Sequence, residues 1–267
     1  MTFEGKTVVV TGGASGIGAA FVGRFASLGA ITCVLDTARC EVSGTDPDLS
    51  LRCDVADEQS LKDALSFVER ELGPVNIFVS NAGVLSNDDG TDGVGINADW
   101  ARCWSVNVMA HVYAARALLP DMAQRGSGHF VTIASAAGLL NQIGDAPYSA
   151  TKHAAVSFAE SMAITYGPSG IKFTLVCPQY VATPLIGLTE ADVSDAGTLL
   201  TADDVAAATF DAMTAGRFLV LPHQDVHRFA QSRARDHDKW IKGMLDLRLR
   251  AIDRFGDARP ERFYKLL

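Results

Sequence analysis

Short runs of β-forming apolar residues alternate along the chain with longer segments whose apolar residues recur at helical spacing. The runs at residues 6–10, 31–35 and 49–53 come first, and similar runs follow at 75–79, 130–134, 171–176 and 218–221. Strands that alternate with helices are typical of βαβ units built around a parallel sheet. The pattern therefore predicts about seven parallel strands.

The segments between these runs predict helices that cover both faces of the sheet. They span residues 19–28, 57–72, 98–125, 148–166 and 201–215, and Pro120 lies within the third of them. Only a dozen residues separate the second and third strands, and Gly44 and Pro47 interrupt them. We therefore expect a stunted helix in that crossover, because a full crossover needs more residues.

Beyond Pro222 the composition changes to Arg, Asp and His, with apolar residues at helical spacing. Trp240, Met244, Leu247 and Ile252 carry that spacing. The pattern predicts an amphipathic helix that packs on the body of the protein or on a partner subunit. The predicted architecture is a single-domain α/β fold with a doubly wound parallel sheet and an extra C-terminal helix.

Composition and charge narrow the class of protein. Apolar residues make up 48% of the 267 residues and charged residues 20%, which excludes a disordered chain. The formal net charge of -8 argues against a general affinity for nucleic acid, because no basic stripe is available to displace counterions. A phosphate-bearing ligand must therefore be held locally.

The sequence contains neither a signal-peptide pattern nor an apolar stretch long enough to span a membrane. The five cysteines include no CxxC pair, which favours free thiols over disulfides or zinc ligands. We therefore expect a cytoplasmic protein without membrane contact.

Residues 11–18 read TGGASGIG and follow the first predicted strand. A triphosphate loop would need a lysine and a hydroxyl residue after Gly18, where the chain has Ala19 and Ala20. The glycines are spaced GxxxGxG, which is not the strict dinucleotide fingerprint GxGxxG. A strand that runs into a helix still offers backbone N–H groups to a pyrophosphate. The spacing alone leaves two hypotheses open, a dinucleotide loop and a plain turn.

Asp36 ends the second predicted strand, 20 residues after Gly16. A carboxylate in that position can accept hydrogen bonds from both ribose hydroxyls of an adenosine and would repel a 2′-phosphate. Thr37 follows it, which favours NAD over NADP, although Arg39 is close. The alternative is a solvated aspartate at the end of a strand.

Tyr148 and Lys152 stand four residues apart at a predicted helix start. This spacing puts both on one helical face, so the ammonium is expected to lower the pKa of the phenol and make it a usable acid or base. A YxxxK pattern alone is a weak signal.

Further short motifs accompany this pair along the chain. They are Thr11-Gly12-xxx-Gly16-Ile17-Gly18, Cys53-Asp54-Val55, Asn81-Ala82-Gly83, Val106-Asn107-Val108, Ser135 thirteen residues before Tyr148, and Pro178 with Thr183. In residue type, order and spacing this set resembles the short-chain dehydrogenase/reductase family of the NAD-preferring type. The resemblance covers residues 11 to 184.

The resemblance implies a Rossmann-like fold and assigns four catalytic residues. Tyr148 would be the acid/base, Ser135 would polarise the substrate oxygen, and Lys152 would bind the nicotinamide ribose and lower the pKa of the phenol. Asn107 would distort the long helix and hold a water molecule that relays protons to Lys152. Residues 1–222 would form the dinucleotide-binding and catalytic domain, with a substrate loop at about 184–200, and residues 223–267 a helical extension.

The same resemblance implies NAD as the cofactor and a set of residues that bind it. Asp54 and Val55 would meet the adenine, and Val181 and Thr183 the nicotinamide carboxamide. The full set is Gly12, Ser15, Gly16, Ile17, Gly18, Asp36, Asp54, Val55, Asn81, Ala82, Gly83, Tyr148, Lys152, Pro178, Val181 and Thr183.

Two departures from the family pattern concern the substrate and the assembly. The family usually has Pro-Gly where this chain has Pro178-Gln179, so the pocket there is expected to differ. The helical tail replaces the family's glycine-rich ending, so a homo-oligomer is expected but leaves dimer and tetramer open. The candidate substrate residues are Ala137, Gln142, Gln179, Tyr180 and Leu185.

These residues are mostly apolar or aromatic, so the expected activity is an NAD-dependent alcohol dehydrogenase or ketone reductase. It would act on CH–OH in a hydrophobic small molecule, such as an aryl, alicyclic or steroid-like secondary alcohol. A sugar or polyol dehydrogenase and a non-catalytic NAD-binding regulatory protein are the alternatives. The six histidines show no metal-ligand spacing, so we expect them at the surface or in the tail and expect no catalytic metal.

Overall fold

A computed structural model of the chain describes residues 2–38, 46–86, 93–193 and 198–267. Within these residues, seven strands form one parallel sheet in the order β3-β2-β1-β4-β5-β6-β9, and β7 and β8 form a separate pair. The strands are β1 (Thr7–Thr11), β2 (Ile31–Asp36), β3 (Leu49–Arg52), β4 (Ile77–Ser80), β5 (Gly128–Ile133), β6 (Ile171–Val176), β7 (Tyr180–Val181), β8 (Leu199–Leu200) and β9 (Leu219–Val220). The predicted seven-stranded parallel sheet is thus confirmed.

Helices connect the strands and cover both faces of the sheet. They are α1 (Gly16–Ser27), α2 (Glu58–Leu72), α3 (Asn97–Trp104), α4 (Ala110–Arg125), α5 (Ala137–Leu140), α6 (Ala146–Tyr166), α7 (Ala202–Ala215), α8 (Gln224–Arg235) and α9 (His237–Phe255). Short 3-10 helices occur at Gly167–Ser169, Pro184–Ile186, Glu190–Asp192 and Pro260–Leu266. The doubly wound architecture follows from two separate apolar layers.

Successive residues of β1 belong to opposite layers because side chains alternate across a strand. Val8 and Val10 pack in the cluster that contains Phe21 of α1 and Phe210 of α7. Val9 packs in the cluster formed with α2 and α4. Both faces are therefore buried, which explains why this strand is apolar throughout. The carboxyl ends of the strands meet at one edge, where open α/β sheets bind ligands.

The long helix predicted at residues 98–125 is interrupted. A π-helical segment, Ser105–Met109, separates α3 from α4 and is centred on Asn107. Pro120 lies inside α4, which continues to Arg125. The predicted distortion at Asn107 is therefore present in the backbone, whereas Pro120 does not end the helix.

The C-terminal extension forms two helices rather than the single one predicted. Asp236 separates α8 from α9 in an extended conformation with φ -151°, and its side chain accepts a hydrogen bond from the backbone N–H of Lys239. Aspartate is a strong N-cap, so it starts a new helix here. The stunted crossover predicted after Asp36 lies largely outside the described residues, as do residues 194–197 of the predicted substrate loop.

Three histidines are buried, so the expectation that all six lie at the surface or in the tail is wrong. His111, His129 and His223 are between 1% and 4% exposed. Two of them pair with a buried hydroxyl group: Nδ1 of His111 lies 2.6 Å from Oγ of Ser80, and Nε2 of His129 lies 2.8 Å from Oγ1 of Thr174. Among the described residues, Nε2 of His111 and Nδ1 of His129 are buried without a hydrogen-bond partner, and burial favours the neutral form of both rings.

In the parts that the structure describes, no three or more His, Cys, Asp or Glu side chains are grouped so as to hold a metal ion. No described helix is both long and apolar enough to cross a membrane.

The burial of His129 predicts a pH-dependent stability. Burial lowers the pKa of His129 to about 4 in the folded protein, whereas an unfolded histidine titrates near 6.5. Between these values the unfolded state binds more protons than the folded state. The free energy of unfolding is therefore highest above pH 6.5 and decreases as the pH falls toward 4. We expect this residue to lower the free energy of unfolding by about 2 kcal/mol between pH 7 and pH 5.

Urea unfolding at pH 7 and pH 5 should therefore give a smaller change in the free energy of unfolding for His129→Gln than for the wild-type protein. The matched control is His237→Gln, a change at an exposed histidine. If His129→Gln keeps the whole wild-type pH dependence, the buried imidazole is not its source.

Candidate active site

The glycine-rich loop between β1 and α1 is folded so tightly that side chains would not fit. Gly12 and Gly16 have φ of +63° and +53°, which favours glycine. A Cβ on Gly12 would lie 2.9 Å from Cα of Ala82, and one on Gly18 would collide with the carbonyl oxygen of Gly12. Nδ2 of Asn81 donates to the carbonyl oxygens of Thr11 and Gly12, at 2.9 and 3.0 Å. The loop is thus held directly against the segment after β4.

The N-terminus of α1 opens behind this loop. Ser15 is the N-cap residue, and its side chain makes no capping hydrogen bond. The N–H groups of the first turn therefore lack a capping side chain, and the loop has no Cβ at its glycines that would fill the approach. Such a cradle at the positive end of a helix suits a phosphate group, so the residues fit the pyrophosphate of a dinucleotide.

Asp36 lies at the end of β2 beside the glycine loop. Its Oδ2 accepts a hydrogen bond from the N–H of Ala14 at 3.0 Å, and its Oδ1 accepts one from the N–H of Ala38 at 3.0 Å. These bonds fix the orientation of the carboxylate between β2 and the loop.

A cavity of about 490 Å³ runs along the carboxyl edge of the sheet. Fifteen of the sixteen predicted cofactor-binding residues line it, namely Gly12, Ser15, Gly16, Ile17, Asp36, Asp54, Val55, Asn81, Ala82, Gly83, Tyr148, Lys152, Pro178, Val181 and Thr183. Gly18 does not line it, because it lies inside α1 against Gly12. Residues that are distant in the sequence are thus brought to one cavity, which we call the cofactor cavity.

Ser135, Tyr148 and Lys152 lie together at the inner end of this cavity. Ser135 follows β5, its Oγ accepts a hydrogen bond from the N–H of Ala137 at 3.1 Å, and it donates to the carbonyl oxygen of Pro178 at 3.4 Å. Nζ of Lys152 donates to the carbonyl oxygen of Ile133 at 3.2 Å and lies 5.6 Å from the centre of the Tyr148 ring. All three side chains are buried.

Burial dominates the pKa values of this pair. Burial raises the pKa of Tyr148 to about 12, while the Ser135 hydroxyl acts in the lowering direction. Burial also lowers the pKa of Lys152 to about 8. The net pKa of the phenol is raised because removal from water penalises its charged form, and the lowering of that pKa by the Lys152 ammonium stays a prediction.

Asn107 connects α6 to the loop after β4. Its Oδ1 accepts a hydrogen bond from the N–H of Val84 at 2.9 Å, and its Nδ2 donates to the carbonyl oxygen of Val84 at 2.9 Å and to Oγ1 of Thr151 at 3.1 Å. A Cβ on Gly83 would be 3.4 Å from both Oδ1 of Asn107 and Nζ of Lys152. Asn107 therefore lies beside Lys152, behind the cavity wall rather than in it.

Two residues that support this site were not singled out from the sequence. Asp145 is buried and caps α6: its Oδ1 accepts a hydrogen bond from the N–H of Tyr148 at 2.9 Å, and its Oδ2 accepts one from the N–H of Ser86 at 3.1 Å. An aspartate directly before Ala-Pro is a capping signal that could have been recognised. His223 accepts a hydrogen bond at Nδ1 from the N–H of Gln179 at 3.1 Å, and its Nε2 lies 2.9 Å from the carbonyl oxygen of Tyr180. No local pattern indicated that role.

A second cavity of about 510 Å³ adjoins the first and shares Ser135 and Gln179 with it. Four of the five predicted substrate residues line it, namely Ala137, Gln142, Gln179 and Tyr180. Leu185 lines the cofactor cavity instead, together with Ser135 and Tyr148, and its contact with a substrate stays a prediction. We call this second space the substrate cavity.

The C-terminal extension forms the far wall of the substrate cavity, which the sequence did not indicate. Phe229 of α8, Trp240, Met244 and Leu247 of α9, and Phe263 of the last turn line it. Val226 of α8 is buried in the same apolar cluster as Leu140 of α5. The extension therefore packs on the body of the same chain and closes the cavity.

Comparisons with known proteins agree with this geometry. A family model described as short chain dehydrogenase matches residues 6–193. The chain is 30% identical over 253 residues to 1-deoxy-11-beta-hydroxypentalenate dehydrogenase of Streptomyces exfoliatus, which covers 90% of each chain. It is 31% identical over 233 residues to cis-4-hydroxycyclohexanecarboxylate dehydrogenase of Sinomonas cyclohexanicum, which covers 82% of this chain and 93% of that one.

A solved structure extends the likeness to three dimensions. The structure of a short-chain dehydrogenase/reductase from Burkholderia phymatum in complex with NAD superposes with a TM-score of 0.78 and 27% identity. The match covers 89% of this chain and 96% of that one. Matches of this extent, together with the Rossmann-like sheet described above, show that the chain belongs to the short-chain dehydrogenase/reductase family.

Proposed function

We propose that this protein is an NAD(H)-dependent oxidoreductase that interconverts a secondary alcohol and a ketone on a hydrophobic small molecule. One observation carries the proposal: the buried set of Ser135, Tyr148 and Lys152 lies where the cofactor cavity meets the substrate cavity. A hydroxyl group beside Ser135 would therefore be within reach of both the phenol and a cofactor. Family membership supports the class of reaction.

The glycine loop and strand edge would hold the dinucleotide. The N–H groups at the start of α1 would bind the pyrophosphate, and Asp36 would accept hydrogen bonds from the adenosine ribose. Asp54 and Val55 would lie beside the adenine, and the Asn81–Gly83 segment would line the middle of the path. Val181 and Thr183, together with Pro178, would border the nicotinamide.

In the direction of oxidation, the Tyr148 oxygen removes the proton of the substrate hydroxyl while the carbinol carbon loses a hydride. When bound, an oxidised nicotinamide would accept that hydride and would add a positive charge to the site. Ser135 donates a hydrogen bond to the substrate oxygen and orients it. Lys152, as an ammonium, stabilises the phenolate by its positive charge. Reduction of a ketone reverses both transfers, with Tyr148 as the acid.

The carboxylate of Asp36 supports NAD rather than NADP as the preferred cofactor. We expect Asp36→Asn to lower the ratio of kcat/KM with NAD to kcat/KM with NADP by at least about tenfold, because the change removes a charge that repels the 2′-phosphate. Initial rates with one alcohol and both cofactors measure this ratio. The matched control is Asp63→Asn, an exposed position on α2, which should keep the wild-type ratio.

An Asp36→Asn protein with an unchanged ratio would contradict this assignment of the ribose site. A wild-type protein that turns over NADP much faster than NAD would overturn the cofactor preference itself. In either case the alcohol–ketone reaction could still stand, because Tyr148 acts at the other end of the cavity.

The substrate proposal rests on the walls of the substrate cavity, which are mainly apolar or aromatic. The two relatives compared above are named for hydroxylated carboxylic acids, and one of these is alicyclic. The walls also carry the polar residues Ser135, Asn141, Gln142, Gln179 and Ser232 and the cations Arg228, Lys239 and Arg250, which are the groups that would favour a sugar or polyol. A panel of alicyclic, aryl and sugar alcohols, read at the absorbance band of the reduced nicotinamide, tests this; faster turnover of the sugars would favour the alternative.

We further propose that residues 1–222 form the dinucleotide-binding and catalytic domain and that residues 223–267 serve it as a helical wall. The homo-oligomer stays a prediction. The described cysteines are all buried free thiols, which supports a reducing, cytoplasmic location. Cys40 lies outside the described residues.

A further inference from the structure

The C-terminal extension brings positive charge to the substrate cavity. Arg228 of α8 and Lys239 and Arg250 of α9 line it, and its lining includes no aspartate, glutamate or histidine. This is unusual in a chain whose formal net charge is -8. The charge at this one cavity is thus opposite in sign to that of the whole molecule.

Two of these cations have no carboxylate partner among the residues that the structure describes. Arg228 forms an ion pair with Asp225 at 2.9 Å, so its charge is partly balanced. In the described parts of the chain, no ion pair engages Lys239 or Arg250. A cation that lines a cavity without a partner is available to a ligand's anion.

Lys239 and Arg250 share one face of α9. They are eleven residues apart, which is close to three full helical turns and a distance of about 16 Å along the axis. Gly243 and Leu247, which also line the cavity, lie on this face between them. The apolar middle of the helix wall is therefore bordered by a cation at each end.

The opposite wall of the cavity carries Ser135, beside the phenol of Tyr148. A substrate bound here would present its hydroxyl carbon to that wall and its apolar frame to Trp240, Met244 and Leu247. Any group that reaches past this frame meets the cations of α9. The cavity of about 510 Å³ therefore has three zones: reactive, apolar and cationic.

We propose that the substrate is an apolar cyclic secondary alcohol, or its ketone, that carries a carboxylate, and that the positive charges of Lys239 and Arg250, one at each end of the helix wall, attract this carboxylate. The inference rests on the proposed function, because it assigns the substrate class of the same site. Because the two cations are about 16 Å apart along the helix axis, the carboxylate pairs directly with one of them and is attracted more weakly by the charge of the other. Both side chains are exposed at the cavity mouth, so each contributes modestly and depends on salt.

The test compares a hydroxycyclohexanecarboxylate with its neutral methyl ester. In the wild-type protein we expect kcat/KM to be at least about tenfold higher for the carboxylate at low salt, and this advantage to shrink as ionic strength rises. In the Lys239→Gln, Arg250→Gln double variant the carboxylate-to-ester ratio should fall to about one. The single variants should each lower the ratio by about three- to fivefold.

The matched control is Lys242→Gln. Lys242 is an exposed lysine on the same helix that does not line the cavity, so the wild-type ratio should remain. Binding of the matching keto acid and keto ester, measured by isothermal titration calorimetry, gives a readout that needs no turnover. The keto acid should bind more tightly than the keto ester in the wild type and lose this advantage in the double variant.

The outcomes separate the two proposals. Turnover of the neutral ester with no preference for the carboxylate overturns the inference and leaves the proposed function intact. A carboxylate preference that survives in the double variant also overturns the assignment of the two cations. If no alcohol is oxidised with either cofactor, the proposed function fails, and the binding comparison alone decides whether the cavity selects anions.

Discussion

Replacing Tyr148 with phenylalanine is expected to lower kcat/KM for the best alcohol by about 10³-fold, the middle of the range for loss of a general acid/base. The change removes only the hydroxyl group of Tyr148, and the ring can keep its buried position next to Ser135. Binding of the reduced cofactor should remain within about threefold of the wild type, because the glycine loop and Asp36 are untouched. Steady-state rates and a fluorescence titration with NADH measure the two effects separately.

Tyr166→Phe is the matched control, since Tyr166 ends the same helix, α6, and does not line the cofactor cavity. It should keep wild-type turnover. A Tyr148→Phe protein with unchanged turnover would mean that another group moves the proton. A wild-type protein that binds NADH and turns over no alcohol would favour the alternative of a non-catalytic regulatory protein.

The pKa values of Tyr148 and Lys152 affect oxidation and reduction differently. Burial raises the pKa of Tyr148 to about 12, so at neutral pH the phenol carries its proton. This is the form needed to protonate a ketone that is being reduced. Oxidation needs the phenolate, which a positive charge added beside the ring would favour. Burial lowers the pKa of Lys152 to about 8, so this lysine keeps most of its charge at pH 7 and loses it at mildly alkaline pH.

The layout of the fold could be predicted from the sequence because it depends on local patterns. The apolar strands and the amphipathic helices between them are visible residue by residue, and β6 begins and ends where the pattern predicts. The glycine loop and Asp36 could also be predicted, because each stands at a fixed offset from the end of a strand. The cavity that gathers these residues follows from the parallel arrangement of the strands.

The rest of the site depends on contacts between distant segments. Leu185, predicted beside the substrate, lies in a 3-10 turn over Pro184–Ile186 and lines the cofactor cavity, a placement that its sequence neighbours do not indicate. The pKa of Tyr148 depends on its burial, which spacing cannot report. The role of α9 as a cavity wall arises from packing on the body, although the helical pattern in the tail was visible. Local periodicity predicts an element but not the surface that it covers.

Replacing Gly18 with alanine is expected to have the second large effect, although the same change at Gly23 in the same helix should be harmless. A Cβ at Gly18 would collide with the carbonyl oxygen of Gly12 and lie 2.6 Å from Nδ2 of Asn81. The loop must then move, and the N–H groups that would hold a pyrophosphate move with it. We expect the affinity for NADH to fall by about 10²-fold or more and the free energy of unfolding to fall by about 1–3 kcal/mol.

Gly23→Ala is the matched control, because no atom lies within 4 Å of the added Cβ at that helical position. Alanine there should raise the free energy of unfolding by up to about 1 kcal/mol and leave NADH affinity unchanged, since alanine is the better helix former. Denaturant unfolding and a titration with NADH test both variants. If Gly18→Ala lost stability but bound NADH as tightly as the wild type, the close contact would serve helix packing alone. Loss of affinity beyond the loss of folded protein would connect the missing side chain of Gly18 directly to the cofactor cavity.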